Sequence, residues 1–356
     1  MSESYLRRAL QLAERGLFTT DPNPRVGCVI VKDGQVRGEG WHVRAGEPHA
    51  EVLALRAAGE QARGADVFVT LEPCSHTGRT PPCADALISA GVARVWCCGE
   101  DPSPKVAGQG FARLRAAGIQ VETGTLGAEA RALNVGFYSR FQRGRPYVRL
   151  KMAMSLDGRT APKSGERRWI SGESSRADVQ YWRARSSAVL TGSGTVKCDD
   201  PRLNVRLEYG PWVRQPLRVV LDTELRCNPQ AKVFHGGGAL LFAAQDAKRT
   251  DASTAPVKRV ARAPVGLDLH AVCRALSELE INELLLECGA TLAGGFLQED
   301  LVDEIILYVA PHLLGDDAAP LVATQAAGLA GIGANFEFQD AQRMGEDVRL
   351  TLTKKH

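Results

Sequence analysis

Between Ala65 and Gly124 the chain alternates short apolar runs with helical stretches that stop at Gly. The segments are "ADVFVTLEP" (65–73), "CADALISAG" (83–91), "VARVWCCG" (92–99), "GFARLRAAG" (110–118) and "IQVETG" (119–124). Runs rich in Val, Phe and Trp read as strands, and the stretches closed by Gly read as helices. A chain that alternates in this way has few folds open to it. It must lay its strands in one sheet and cover both faces with the intervening helices, an α/β sandwich. Upstream, residues 3–15 read as a helix. "VGCVIVKDGQVRGEG" (26–40) reads as a hairpin turning at Asp33-Gly34. Residues 49–63 read as a helix ended near Gly64, and a helix at about 127–141 closes this half.

The polar stretch Arg143-Gly144-Arg145-Pro146 breaks the pattern, and the chain then starts a fresh strand. Alternation resumes with a helix at 174–186, strands near 188–191, 217–222 and 239–244, and a helix at 268–280. "INELLLECGATLAGGFLQ" (281–298) reads as strand, Gly-bearing turn and helix, "LVDEIILYVAP" as a strand, and "FEFQDAQRMGEDVRLTLTKK" as a final hairpin. A chain of 356 residues accommodates two ordinary domains, predicted at 1–144 and 145–356. Composition of 44% hydrophobic and 24% charged residues is that of a soluble globular protein. The net charge of +3, with no aromatic-basic stripe, gives no case for a nucleic-acid partner. No apolar run is long enough to span a bilayer, and the first helix lacks the apolar core of a signal peptide. Nine Cys in such a chain do not form a disulfide scaffold. The expected compartment is the reducing cytoplasm, with thiols free unless they bind metal.

Two segments carry chemistry: "HAEVLAL" (49–55) and "LEPCSHTGRTPPC" (71–83). His49 and Glu51 open a helix, Cys74 follows a buried strand, and Cys83 opens the next helix. Side chains at strand ends and helix starts converge above one edge of a sheet. One imidazole and two thiolates suit zinc and leave a fourth position for water, whose acidity the ion raises. Glu51 is too close in sequence to His49 to be an obvious fourth ligand and is placed to move protons. Taken singly, each residue is more often an ordinary core His or buried thiol. Together they form the zinc-deaminase pattern, H-x-E followed by P-C-x-x-C, except that the gap after Cys74 is eight residues rather than two.

That longer loop, with "DPNPRVGCVIV", "GEPHAE", "AGVARV", "KMAMSLDGRTA", "RRWISG", "TGSGTV", "DDPRLNVR" and "LVDEIILYVAPHLLG", resembles the bifunctional riboflavin-biosynthesis deaminase/reductases over nearly the whole chain. The resemblance implies an N-terminal cytidine-deaminase-like α/β/α sandwich and a C-terminal dihydrofolate-reductase-like α/β domain. It implies one Zn2+ per chain on His49, Cys74 and Cys83, with Glu51 as proton shuttle. It implies as substrate a diaminopyrimidinone carrying a phosphoribosylamino group. Asn23 falls where relatives meet the pyrimidine, though a turn role suits it equally. His42, His76 and Arg79 line the pocket, hold the phosphate or lie plainly on the surface.

In the second half no G-x-G-x-x-G follows a strand, so a Rossmann site has no support. "LECGATLAGGF" offers a strand, small residues and a helix start whose N–H groups can hold a phosphate, or simply a turn. The resemblance implies NADPH here, reducing the ribose of the deaminated product to ribitol. Ala153, Trp169, Thr195, Asp199 and the turn Gly289, Ala290, Thr291, Leu292, Ala293, Gly294 and Gly295 fall on NADPH positions. Arg167, Arg183, Leu203, Arg206 and Glu287 fall on substrate positions, with arginines suited to a sugar phosphate. Trp169 could equally be core, and Asp199 a cap on the turn before Pro201. Arg167 replaces a small polar residue, and Ala290 replaces a Pro common in relatives. Lys151 lies on the strand entering the site, where a substrate contact is open to it and no proton-transfer role is assigned. Two rivals remain: a deaminase of another nucleobase or nucleoside joined to an unrelated domain, and an inactive regulatory pair. The partners expected are phosphorylated pyrimidines, without nucleic acid or membrane, and a homo-oligomer, dimer or tetramer, is left open.

Overall fold

The computed structural model describes residues 2–75, 82–161, 169–207, 209–210, 213–248, 255–323 and 336–355. By packing, the chain divides into one unit of residues 1–144 with 210–213 and a second of 145–209 with 214–356. His76, Arg79 and Arg167 lie outside the described residues.

The first unit runs α1 (Ser2–Glu14), β1 (Gly27–Lys32), β2 (Gln35–Trp41), α2 (Ala50–Ala58), β3 (Asp66–Val69), α3 (Cys83–Ala90), β4 (Arg94–Cys97), α4 (Gln109–Ala116), β5 (Gln120–Thr123), α5 (Gly127–Leu133) and α6 (Val135–Arg143). Its sheet has the order β2-β1-β3-β4-β5. β1 is antiparallel to β2 and β3, while β3, β4 and β5 are parallel. The hairpin turns at Asp33 and Gly34, both with positive φ, as a tight two-residue connection requires. Alternate strand residues serve opposite faces. Cys28, Ile30, Val67 and Val69 pack with Ala54, Leu87 and Leu114 of α2, α3 and α4. Val29, Val31 and Phe68 pack with Leu6 and Ala9 of α1 and Ala130 of α5. Both faces are therefore covered.

Two expected helices are divided. The one expected over 49–63 stops at Ala58, because Gly59 adopts φ +52, and a 3-10 turn Gly59–Ala62 follows. The one expected over 127–141 breaks at Asn134, whose side chain is committed elsewhere. Its Nδ2 donates to Arg25 O (3.0 Å) and its Oδ1 accepts from Arg25 N (2.8 Å).

The second unit runs β6 (Tyr147–Ser155), β7 (Arg159–Ala161), α7 (Glu173–Arg185), β8 (Ala188–Gly192), α8 (Ser193–Asp199), β9 (Leu217–Leu221), β10 (Ala239–Ala244), β11 (Val257–Val260), α9 (Leu269–Glu278), β12 (Glu283–Glu287), α10 (Ala290–Gln298), β13 (Glu304–Ala310), β14 (Ala319–Pro320), β15 (Phe336–Met344) and β16 (Asp347–Lys354). Its main sheet has the order β11-β10-β9-β8-β12-β6-β13-β16-β15. The strands from β11 to β13 are parallel, and the hairpin β15–β16 adds antiparallel at the β13 edge. β12 is central: Leu284, Leu285 and Leu286 are all fully buried, so both its faces are covered. Asp268 caps α9 by accepting from Ala271 N (2.9 Å). Because β8 and β12 are parallel neighbours, their carboxyl ends and the helix starts that follow them open on the same side, where α/β sheets bind ligands. No helix among the described residues is long and apolar enough to cross a membrane.

Candidate active sites

His49 is the N-cap of α2, Cys83 is the first residue of α3, and Cys74 lies in the loop after β3. α2 can lie close on β2 because Gly40 has no side chain; a Cβ there would fall 2.4 Å from Ala50 O. The three ligand-type atoms of His49, Cys74 and Cys83 lie within 4.8 Å of one another. His49 Nδ1 is 3.3 Å from Cys83 Sγ and 3.6 Å from Cys74 Sγ. Cys83 N–H donates to Cys74 Sγ (3.3 Å), and Ala84 N–H donates to Cys74 O (3.1 Å). Hydrogen bonding from the Cys83 thiol, from His49 and from the Cys83 amide holds the Cys74 thiol down to about 4. The Cys74 thiolate, together with burial, pushes Cys83 far up. Two thiols and an imidazole this close, with the Cys74 thiol shifted toward ionisation and the Cys83 thiol held from it by Cys74, burial and Glu51, are a donor set that a divalent soft-to-borderline cation would complete. Zinc fits it.

Glu51 is 3% exposed, and burial pushes its carboxyl up to about 7 against the pull of His49. A carboxyl poised there both accepts and returns a proton near neutrality. His42 is buried, not on the surface, and its ring lies edge-on to His49 with centroids 5.3 Å apart. Burial lowers its pKa to about 4. Its Nδ1 faces Pro48 O (3.3 Å) and its Nε2 faces Asn23 Nδ2 (3.0 Å). Since Pro48 O only accepts, His42 carries its proton on Nδ1 and accepts from Asn23 at Nε2. A neutral ring with both nitrogens engaged is a poor phosphate holder. Asn23 both closes a turn, its N–H donating to Thr20 O (2.9 Å), and directs its amide at His42.

In the second unit Arg183 (α7) donates from Nε and Nη2 to Glu287 at 2.6 and 2.8 Å and from Nη1 to Asn204 O at 3.2 Å. Its charge is thus already countered by a carboxylate. Lys151 pairs in register with Glu287 across β6 and β12. Burial opposes ionisation of Glu287, but Arg183, Lys151 and Arg206 overcome it and hold its pKa below the usual range. Burial lowers the pKa of Lys151, with Glu287 opposing. Arg206 is exposed, its main chain fixed by Arg206 N–H donating to Gln180 Oε1 (2.9 Å). It is the cation of this group best placed for an added phosphate. Gln180 is one polar residue in the α7 run that also carries Arg183, and nothing in the sequence marks it out. Leu203 has a φ of +53 and is 3% exposed, and its side chain belongs to the core.

The turn after β8 meets the turn after β12. Gly192 lies against Leu292, and Gly289 faces Thr195. Gly289 is the N-cap of α10 with no side-chain cap, and Ala290 begins the helix with an N–H that a proline would lack. Small residues, amides at a helix start and a neighbouring hydroxyl form a cradle suited to the phosphates of a nucleotide cofactor. Ala153 is partly buried near the end of β6, and Asp199 is exposed at the end of α8. Trp169 is 74% exposed, with the Arg176 guanidinium 5.1 Å over its ring, which excludes a core role.

A family model described as "RibD C-terminal domain" matches residues 146–350. Another, "Cytidine and deoxycytidylate deaminase zinc-binding region", matches residues 1–99. The riboflavin biosynthesis protein RibD of Escherichia coli (strain K12) is 49% identical over 361 residues, 98% of each chain. That of Haemophilus influenzae is 44% identical, covering 99% of this chain and 97% of its own. Among solved structures, Acinetobacter baumannii RibD (form 1) superposes with a TM-score of 0.92 at 46% identity, covering 100% of this chain and 99% of its own. The Thermotoga maritima diaminohydroxyphosphoribosylaminopyrimidine deaminase/5-amino-6-(5-phosphoribosylamino)uracil reductase superposes with a TM-score of 0.86 at 31% identity, covering 99% of each chain.

Proposed function

The chain belongs to the riboflavin biosynthesis protein RibD family of bifunctional deaminase/reductases, and we propose that it catalyses two successive steps on one pyrimidine. The first unit is cytidine-deaminase-like and the second dihydrofolate-reductase-like. In this reading the unit within residues 1–144 hydrolyses the ring amine of 2,5-diamino-6-(5-phosphoribosylamino)pyrimidin-4-one. The unit within 145–356 then reduces the ribosyl side chain to ribityl with NADPH.

The observation that carries the reading is the convergence of His49, Cys74 and Cys83 beside a buried Glu51. Zinc, when bound by these three residues, supplies the Lewis acidity that makes water a nucleophile near neutral pH. Glu51 takes a proton from the attacking water and delivers it to the departing amine, so that water and the aminopyrimidine become the oxo product and ammonia. The raised carboxyl of Glu51 suits both transfers. Neutral His42 fixes the Asn23 amide, which orients the pyrimidine. NADPH, when bound, supplies the hydride for the sugar carbon bearing the amine. The α10 amides from Gly289 onward and Thr195 hold its phosphates. Glu287, held ionised by Arg183 and Lys151, faces the sugar with Lys151, while Arg206 takes the phosphate. The partners are phosphorylated pyrimidines, and the compartment is the reducing cytoplasm, where thiols of this kind stay reduced.

The test is a product assay on the diaminopyrimidine phosphate with and without NADPH. Ammonia released stoichiometrically without NADPH, followed by NADPH oxidation when it is added, is the expected result. Ammonia release from a free nucleobase or nucleoside but not from this phosphate would overturn the substrate assignment.

A further inference from the structure

Glu72 stands two residues before Cys74, beyond the end of β3, and is 4% exposed. Its carboxylate accepts four main-chain N–H groups. Oε1 takes those of Gly110 (2.8 Å) and Phe111 (3.3 Å), and Oε2 those of Gly108 (3.0 Å) and Asp101 (3.2 Å). Gly108, Gly110 and Phe111 form the start of α4, which has no side-chain cap from its own N-cap residue. Glu72 therefore caps a helix from 36 to 39 residues away. Its own N–H donates to Gly99 O (3.0 Å). Two oxygens holding four amides use the carboxylate's acceptor capacity in full. Glu72 has none left for a metal or a substrate.

The next residue is held as tightly. Pro73 O lies against Gly110, where a Cβ would fall only 2.0 Å from it. On the far side, Cys74 is tied to α3 by the Ala84 N–H to Cys74 O and Cys83 N–H to Cys74 Sγ bonds. Pro73-Cys74 is thus clamped between the starts of α4 and α3. Resting on the zinc reading above, we propose that Glu72 is a positioning residue for the metal: through α4 it fixes the main chain that aims Cys74 Sγ at His49 and Cys83.

In Glu72→Gln one carboxylate oxygen becomes an NH2 group facing two main-chain donors, so the clamp loosens with little change in volume. Glu72→Asp keeps the charge but is one methylene short, and serves if the glutamine variant folds poorly. The experiment is chelator-competition measurement of Zn2+ affinity on the full chain, with the thiolate-to-cobalt absorption band after Co2+ substitution. Asp268→Ala, which removes the α9 cap of the other unit, is the control for cap loss as such. The expected result is a roughly 10- to 100-fold weaker Zn2+ affinity in Glu72→Gln, a smaller loss in Glu72→Asp, and a shifted Co2+ band in both. Asp268→Ala should lose stability yet keep its affinity and spectrum. Lowered stability in the Glu72 variants with Zn2+ affinity within about twofold of the parent and an unchanged Co2+ band would overturn the inference alone. A parent chain that takes up neither ion would overturn the zinc reading itself.

Discussion

At the scale of single residues, the metal set tests most directly. Cys83→Ala leaves one imidazole and one thiol, and two ligands hold zinc poorly. Metal analysis of that variant should show near-empty sites, whereas Cys97→Ser should keep its zinc, because the Cys97 thiol is buried and donates to Gly99 O (3.3 Å). Full occupancy in Cys83→Ala would remove it from the ligand set. A second residue-scale expectation concerns Arg206. Its main chain is anchored by Gln180, so Arg206→Ala should remove charge without moving the loop. A cation that holds a non-reacting phosphate acts equally in ground and transition states, so KM for the reductase substrate should rise while kcat and NADPH affinity hold. A matching loss of NADPH affinity would place Arg206 on the cofactor instead. The convergence of His49, Cys74 and Cys83 was legible in the sequence because strand ends and helix starts fix where such side chains go. The pairing of Arg183 with Glu287 was not, since each lies on a different element and either could as well face a ligand. Burial of His42 was also hidden: nothing in "GWHVRAG" says which side of the loop the ring takes.

At the scale of elements, apolar patterning located most strands and helices, and the misses have local causes. Gly59 and Asn134 end helices that the apolar pattern would continue, one through its left-handed φ and the other through a side chain spent on Arg25. α8, β11, β7 and β14 escaped the pattern because they are short or lack an apolar repeat. Equally invisible was how β6 is locked to both neighbours. Arg149, 2% exposed, donates from Nε to Glu304 on β13 (2.8 Å) and from Nη1 to Glu283 on β12, and Glu283 also accepts from Arg185 (2.9 Å). Removing Arg149 takes the counter-charge from the Glu304 carboxylate and leaves Glu283 with Arg185 alone. Arg149→Met should therefore cost about 3–5 kcal/mol in equilibrium urea unfolding of the second unit. A loss below about 1 kcal/mol, within the usual range for a surface ion pair, would show that water reaches the carboxylates.

At the scale of the whole molecule, two units with separate cores and separate site chemistries imply two activities that one side-chain change can part. Glu51→Gln preserves the volume of a buried side chain and removes only its carboxylate. His49, Cys74 and Cys83 do not need it to converge, so zinc content should equal that of the parent. Loss of general acid–base catalysis costs on the order of a hundred- to ten-thousand-fold, and both proton transfers assigned to Glu51 would go together. The Arg183–Glu287–Lys151 group and the start of α10 are built from residues of the second unit. Given the already deaminated pyrimidine, the variant should oxidise NADPH at the parent rate; given the diamino compound, it should release almost no ammonia. Both assays are run on one preparation whose zinc has been counted. Ammonia release at the parent rate would take Glu51 out of the mechanism. Loss of both activities with zinc retained would show that the two sites are energetically coupled, which separate cores alone do not require.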